Sequence, residues 1–190
     1  MTKMPEPKTR ILNAAARLFV ENGLQSSMAL IAETAKVSTG SVYNHFPSKE
    51  GLILEVCRQL AHTMEAALVR PIDRSIPYKD RVDAYVGAYI DFIWADADRA
   101  VLYDYVSNSP AIPLEDLTEI FDKVTEHSIA VFSEAQEGGP DWGISPKLAG
   151  SFVRGAVRNT LKRHRATGES LTEAHRAGIM RMCWNALASS

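Results

Sequence analysis

The sequence predicts an all-α protein, with an N-terminal three-helix helix-turn-helix head, a C-terminal helical bundle body and about nine helices in all. Three observations predict it. From Ile11 onward, apolar residues recur every three or four positions, the period of a helix with one buried face. No stretch alternates apolar and polar residues in the manner of a strand. Gly23, Pro47, Pro71, Pro77, Pro110, Pro113, Gly138-Gly139 and Gly168 fall between the periodic segments and punctuate them.

Taken in order, residues 1–7 hold two prolines and little to bury, and are expected to form a mobile arm from which Lys3 and Lys8 reach solvent or phosphate. The first helix runs from about Lys8 to Asn22, with Ile11, Leu12, Ala15, Leu18 and Phe19 as its core stripe and Gly23 as a left-handed cap. In SMALIAETAKVSTGSVYNHF (27–46), Met28, Ile31, Ala32 and Ala35 give a second helix one buried face. Ser27 is placed to cap it. Lys36-Val37-Ser38 makes a turn, and Ser38 caps a third helix from about Thr39 to His45. Ser48 then starts a longer helix, to about Val69, that joins head to body. Body helices are expected over about Tyr78–Ala95, Ala97–Ser107, Leu114–Glu137, Pro146–Ala166 and Leu171–Ala188. The expected domain boundary falls between residues 50 and 51, giving domains of 1–50 and 51–190.

The third helix directs the functional reading. Only Val42 and Phe46 form an inward pair, while Thr39, Ser41, Tyr43, Asn44 and His45 point away from them. A short helix with so little apolar content and so many hydrogen-bonding ends suits the DNA major groove, where side chains meet base edges. An ordinary helical corner gives a similar outline. Charge separates along the chain in the matching sense. Residues 1–50 carry six Lys or Arg against four Asp or Glu, the remainder 15 against 19, so a mildly basic head sits on an acidic body.

Residues 8–56 resemble the N-terminal domain of the tetracycline-repressor (TetR) family. The resemblance rests on the AAxxLFxxxG run from Ala14 to Gly23, IAExAxVS from Ile31 to Ser38, and GSVYxHFPSKE from Gly40 to Glu50. It implies a transcriptional regulator that binds a palindromic operator as a homodimer and is released by a small-molecule effector, with repression the family habit. Four residues depart from the family pattern. Lys36 stands where glycine is usual, Thr39 where lysine is frequent, and Ala29 and Leu30 where an arginine and an acidic residue are common. The DNA-facing set is Ser27, Thr39, Ser41, Tyr43, Asn44, His45 and Lys49. Lys49 sits beside free helix-end amides that favour an anion, and the resemblance also implies a phosphate contact there. A helical adaptor or regulator of the same fold without ligand control is the alternative.

The resemblance implies a ligand pocket in the body. Body aromatics fall on or beside apolar stripes, and the set chosen to line the pocket is Tyr89, Phe92, Tyr103, Phe121 and His127. A stripe of Leu117, Phe121, Val124, Ser128 and Val131 carries a polar group that needs a partner. The last two helices carry small residues at helical spacing, Gly150, Gly155, Ala156 and Asn159, then Ala174, Gly178, Met182 and Ala186. The resemblance places a dimer interface there, although packing within one chain gives the same pattern. The five histidines show no paired-ligand spacing, and Cys57 and Cys183 form no CxxC pair. No phosphate loop or nucleophile motif is present, so no metal, cofactor or enzymatic activity is expected. With no apolar signal core in MTKMPEPKTR and no run of ~20 apolar residues, the expected location is the cytoplasm, without a membrane partner.

Overall fold

The computed structural model describes residues 5–188, and its regular elements are ten α-helices. Lys3 and most of the expected N-terminal arm lie outside the described residues, and Pro7 already opens the first helix. The chain divides into two compact units. The first takes residues up to 62 together with 101–120, and the second takes 63–100 and 121 onward.

In the first unit, α1 (Pro7–Asn22) buries Ile11, Leu12, Ala14, Ala15, Leu18 and Phe19. It ends at Gly23, whose φ of 74° is open to a residue without Cβ, but whose ψ of 179° is extended and not that of the left-handed cap expected. The buried Ser26 hydroxyl donates to the Leu18 or Gly23 carbonyl, at 3.2 Å from each, and ties the following loop back to the helix end. Next, α2 (Met28–Ala35) and α3 (Thr39–His45) pack on α1 and on each other. Between them, Ala32 is 2% exposed, so the helices cross over a methyl group. Helix α4 (Lys49–Leu68) follows. Its residues 49–62 belong to the first unit, where Leu52, Val56, Cys57 and Leu60 are buried.

The second unit is built on α5 (Tyr78–Trp94), which buries eight residues from Val82 to Ile93. It packs against α8 (Asp122–Gly138), α9 (Pro146–Ala166) and α10 (Glu173–Ala188), and α9 also packs on both α8 and α10. Close fits mark these crossings. Gly87 leaves room for the Arg176 guanidinium, which holds Asp91 with two bonds of 2.9 Å and so fastens α10 to α5. Arg165 donates to the Ile93 and Trp94 carbonyls and lies over the Trp94 ring, closing the C-terminal end of α5.

Helix α6 (Ala97–Asn108) is shared between the units, and α7 (Leu114–Ile120) belongs to the first. The single helix expected over Leu114–Glu137 is therefore two, which raises the count from about nine to ten. Phe121 breaks it, with φ −99° and ψ 12°, outside the helical region. The reason lies in burial. Leu117 and Phe121 continue the apolar period, but α7 buries nothing, whereas α8 buries Val124, Ser128 and Val131. Periodicity ran on through a point where the buried face stops.

Candidate nucleic-acid interface and body cavity

Three serines set the head's geometry. Ser27, Ser38 and Ser48 accept hydrogen bonds from the amides of Leu30, Ser41 and Gly51, at 3.2, 3.1 and 3.0 Å. Each satisfies one free donor at the start of α2, α3 or α4. The turn between α2 and α3 is a Schellman motif. The Lys36 amide bonds the Glu33 carbonyl and the Val37 amide bonds that of Ala32. Lys36 takes the left-handed position, φ 55° and ψ 48°, and is the only non-glycine with positive φ among the described residues.

Val42 is fully buried and Phe46 nearly so, so these two residues seat α3. The opposite face is open. Thr39, Gly40, Asn44 and His45 are exposed, Tyr43 is 49% exposed, and Ser41 is half-buried. Ser27 is exposed at the start of α2, and Lys49 is half-buried at the first position of α4. Lys8 does not hang free, because it pairs with Glu55 at 3.3 Å and lies over the Phe46 ring. Partial burial raises the Glu55 carboxyl's pKa, but hydrogen bonds from Lys8 and Arg58 outweigh that and hold it below the usual carboxylate range.

A feature the sequence reading missed is a groove of about 350 Å³ beside the turn, lined by Arg10, Asn13 and Arg17 of α1 and by Thr34 and Lys36. The signal was present, since Arg10, Asn13 and Arg17 recur at helical spacing.

The second unit contains a smaller cavity of about 160 Å³ between the end of α4, α5 and α8. Leu68, Ile72, Ala84, Tyr85 and Val131 give apolar walls, and Arg70, Arg81 and His127 give the polar ones. Burial pushes the His127 imidazole's pKa down, favouring its neutral form. Its ring lies 6.1 Å from that of Tyr85, which meets Phe132 edge-on at 5.7 Å. Behind the wall, the Arg154 guanidinium donates to the buried Ser128 hydroxyl at 2.6 Å and reaches the Tyr85 hydroxyl at 3.5 Å. The polar group in the apolar stripe thus has a partner from the chain itself.

Comparison with known proteins places the head. Residues 11–56 match the profile of bacterial regulatory proteins of the tetR family. Residues 11–56 are thus a tetR-family domain. The Escherichia coli regulator UidR is 41% identical over 73 residues, 38% of this chain and 37% of that protein. The chain thus aligns with little more than a third of that relative's length. Likeness of fold extends further. A tetR-family transcription regulator from Shewanella superposes with a TM-score of 0.83 over 97% of this chain and 99% of its own, at 23% identity. FadR from Bacillus subtilis, solved in complex with stearoyl-CoA, does so with a TM-score of 0.76 over 94% and 98%, at 19% identity.

In the body, the residues expected to line the ligand pocket do not come together as one lining. Only His127 borders the cavity. Tyr89 is fully buried, Phe92 is buried beneath the Arg99 guanidinium, and Phe121 occupies the helix break. Tyr103 falls in the first unit. Tyr85 lines the cavity instead. Of the small residues on the last two helices, Gly150 is committed within the chain, because a Cβ there would meet the Ser128 hydroxyl at 2.5 Å. Gly155 and Gly178 face open space, and Leu148, Phe152 and Met182 stand 55%, 49% and 59% exposed on the same two helices. No helix among the described residues is long and apolar enough to cross a membrane.

Proposed function

We propose that the protein is a sequence-specific DNA-binding transcriptional regulator, a homodimeric repressor of the cytoplasm whose hold on a palindromic operator is relaxed by a small molecule. The observation that carries this is α3. Two buried side chains seat it, three serine-capped helix starts fix its surroundings, and five hydrogen-bonding side chains are left outward. On this reading Tyr43, Asn44 and His45, with Thr39 and Ser41, meet base edges in the major groove, while Ser27 and Lys49 meet phosphates. Residues 1–50 are the DNA-binding part and 51–190 the ligand-binding and dimerisation part.

A single head reads few base pairs, so specificity needs two heads on a two-fold site, with half-sites ~34–36 Å apart or a related spacing. The open apolar faces of α9 and α10 supply a surface for the second copy. Small residues there admit close approach, and Leu148, Phe152 and Met182 gain by burial. The body cavity is the effector site. FadR binds a long acyl-CoA, but a cavity of about 160 Å³ is below the ~300 Å³ of ordinary ligand pockets, so a smaller effector fits here. To lower operator affinity ~100-fold, an effector must prefer the DNA-free form by ~2.7 kcal/mol.

Ala29, Leu30 and Thr39, where charged residues are usual, leave the adaptor reading standing, since none of the three carries a charge. Fluorescence anisotropy against the DNA upstream of the protein's own coding region separates the two. A regulator binds one fragment well above random duplex at 150 mM salt, and equal binding to all fragments removes the assignment. Light scattering tests the interface, with Gly155→Arg or Gly178→Arg expected to give monomers.

A further inference from the structure

The effector's chemical class follows from the charges at the mouth of the body cavity, an inference that rests on reading that cavity as the effector site. Arg70 follows the end of α4 and precedes Pro71. It borders the cavity and makes no ion pair among the described residues. Arg81, on α5, is held in place. Its Nε donates to the Ile76 carbonyl at 3.0 Å and its Nη1 to Glu134 at 3.2 Å. Glu134 is shared, because Arg74 donates to its other oxygen at 2.6 Å. Asp73, whose charge also reaches Arg81, is occupied by the Ser75 amide and hydroxyl. Arg74 and Arg81 thus face Glu134 and Asp73, while Arg70 borders the cavity with no carboxylate paired to it among the described residues.

We propose that this cavity binds a small amphiphilic monoanion, its carboxylate or equivalent anionic group held by Arg70 and Arg81 and its ring or short chain lying among Leu68, Tyr85 and Val131. A guanidinium offers parallel N–H donors that match two carboxylate oxygens. A neutral ligand would remove water from Arg70 and return no charge to it. A dianion would exceed the single unbalanced charge. The volume limits the tail to a single ring or short chain.

The test uses the full chain and isothermal titration calorimetry with benzoate and hexanoate against their neutral counterparts benzyl alcohol and hexanol. Phenyl phosphate, mostly a dianion at neutral pH, should bind more weakly than benzoate, and tighter binding by it would overturn the monoanion. Either acid should bind at least about tenfold more tightly than its alcohol, and Arg70→Gln should remove that advantage, as loss of a charged hydrogen bond does. Arg70 is exposed and unpaired among the described residues, so the variant should unfold at the parent temperature when no ligand is present. Alcohols that bind as well as acids, acid binding that survives Arg70→Gln, or no binding by any probe would each overturn the proposal. Repeating the titrations with operator DNA separates the two readings. Acids that bind without altering operator affinity uphold the anion site and remove the effector role. Alcohols that release the operator while acids do not bind uphold an effector site and remove the anion.

Discussion

In the head, Ser27, Ser38 and Ser48 each bond the amide three residues on, and the turn closes through Lys36 and Val37 within the same few residues. In the body, the polar contacts that fasten the helices join Arg81 to Glu134, Arg154 to Ser128 and Tyr85, and Arg176 to Asp91, pairs 26 to 85 residues apart. One region specifies its surface by short-range chemistry and the other by which helices happen to meet. A locally specified surface can change its outward side chains without losing its shape, which suits the DNA-reading role proposed for α3. A cavity assembled from distant pairs ties its chemistry to its packing.

The largest effect should come from breaking a distant pair. Arg154→Ala leaves the 1%-exposed Ser128 hydroxyl without its partner, and should lower stability by ~1–3 kcal/mol. Chemical denaturation would show it as a lower midpoint, and an unchanged midpoint would mean that the contact adds nothing. The local counterpart is smaller. Ser38→Ala removes the cap of α3 and should cost ~1 kcal/mol, with operator affinity falling as the helix start frays. Lys36→Gly should act in the opposite direction, raising stability by up to ~1 kcal/mol, because glycine takes the left-handed conformation without strain. A loss of stability there would show that the lysine side chain contributes more than its backbone costs.

The smallest effect is a pH dependence. Burial holds His127's folded pKa below its ordinary 6.5, so the unfolded chain binds the proton more readily. Stability should therefore fall as pH drops through 6.5 toward the folded pKa, and His127→Gln should flatten that part of the profile. A profile that keeps its slope in the variant would assign it to other groups.

The same difference in reach explains what was legible in the sequence. Ser27, Ser38, Gly23 and Lys36 could be placed because each acts on its immediate neighbours, and the Val42–Phe46 pair fixed which side of α3 faces outward. The break at Phe121 could not be read, because nothing local demands it; Leu117 and Phe121 continue an apolar period that the fold does not bury. Nor could Tyr85 be preferred to Tyr89, one turn away on the same helix. That choice depends on where Arg154 and His127 arrive from elsewhere in the chain.

The central claim is that α3 reads base edges while Lys49 meets only the backbone. The most direct measurement is operator affinity for Tyr43→Ala, Asn44→Ala and Lys49→Ala against a set of singly substituted operators, over a range of salt. The account predicts that Tyr43→Ala and Asn44→Ala lose ~1–3 kcal/mol of discrimination at particular base pairs. Lys49→Ala should weaken every sequence alike and reduce the salt slope by about one unit. Folded variants that bind all operators as the parent does, in all three cases, would contradict it.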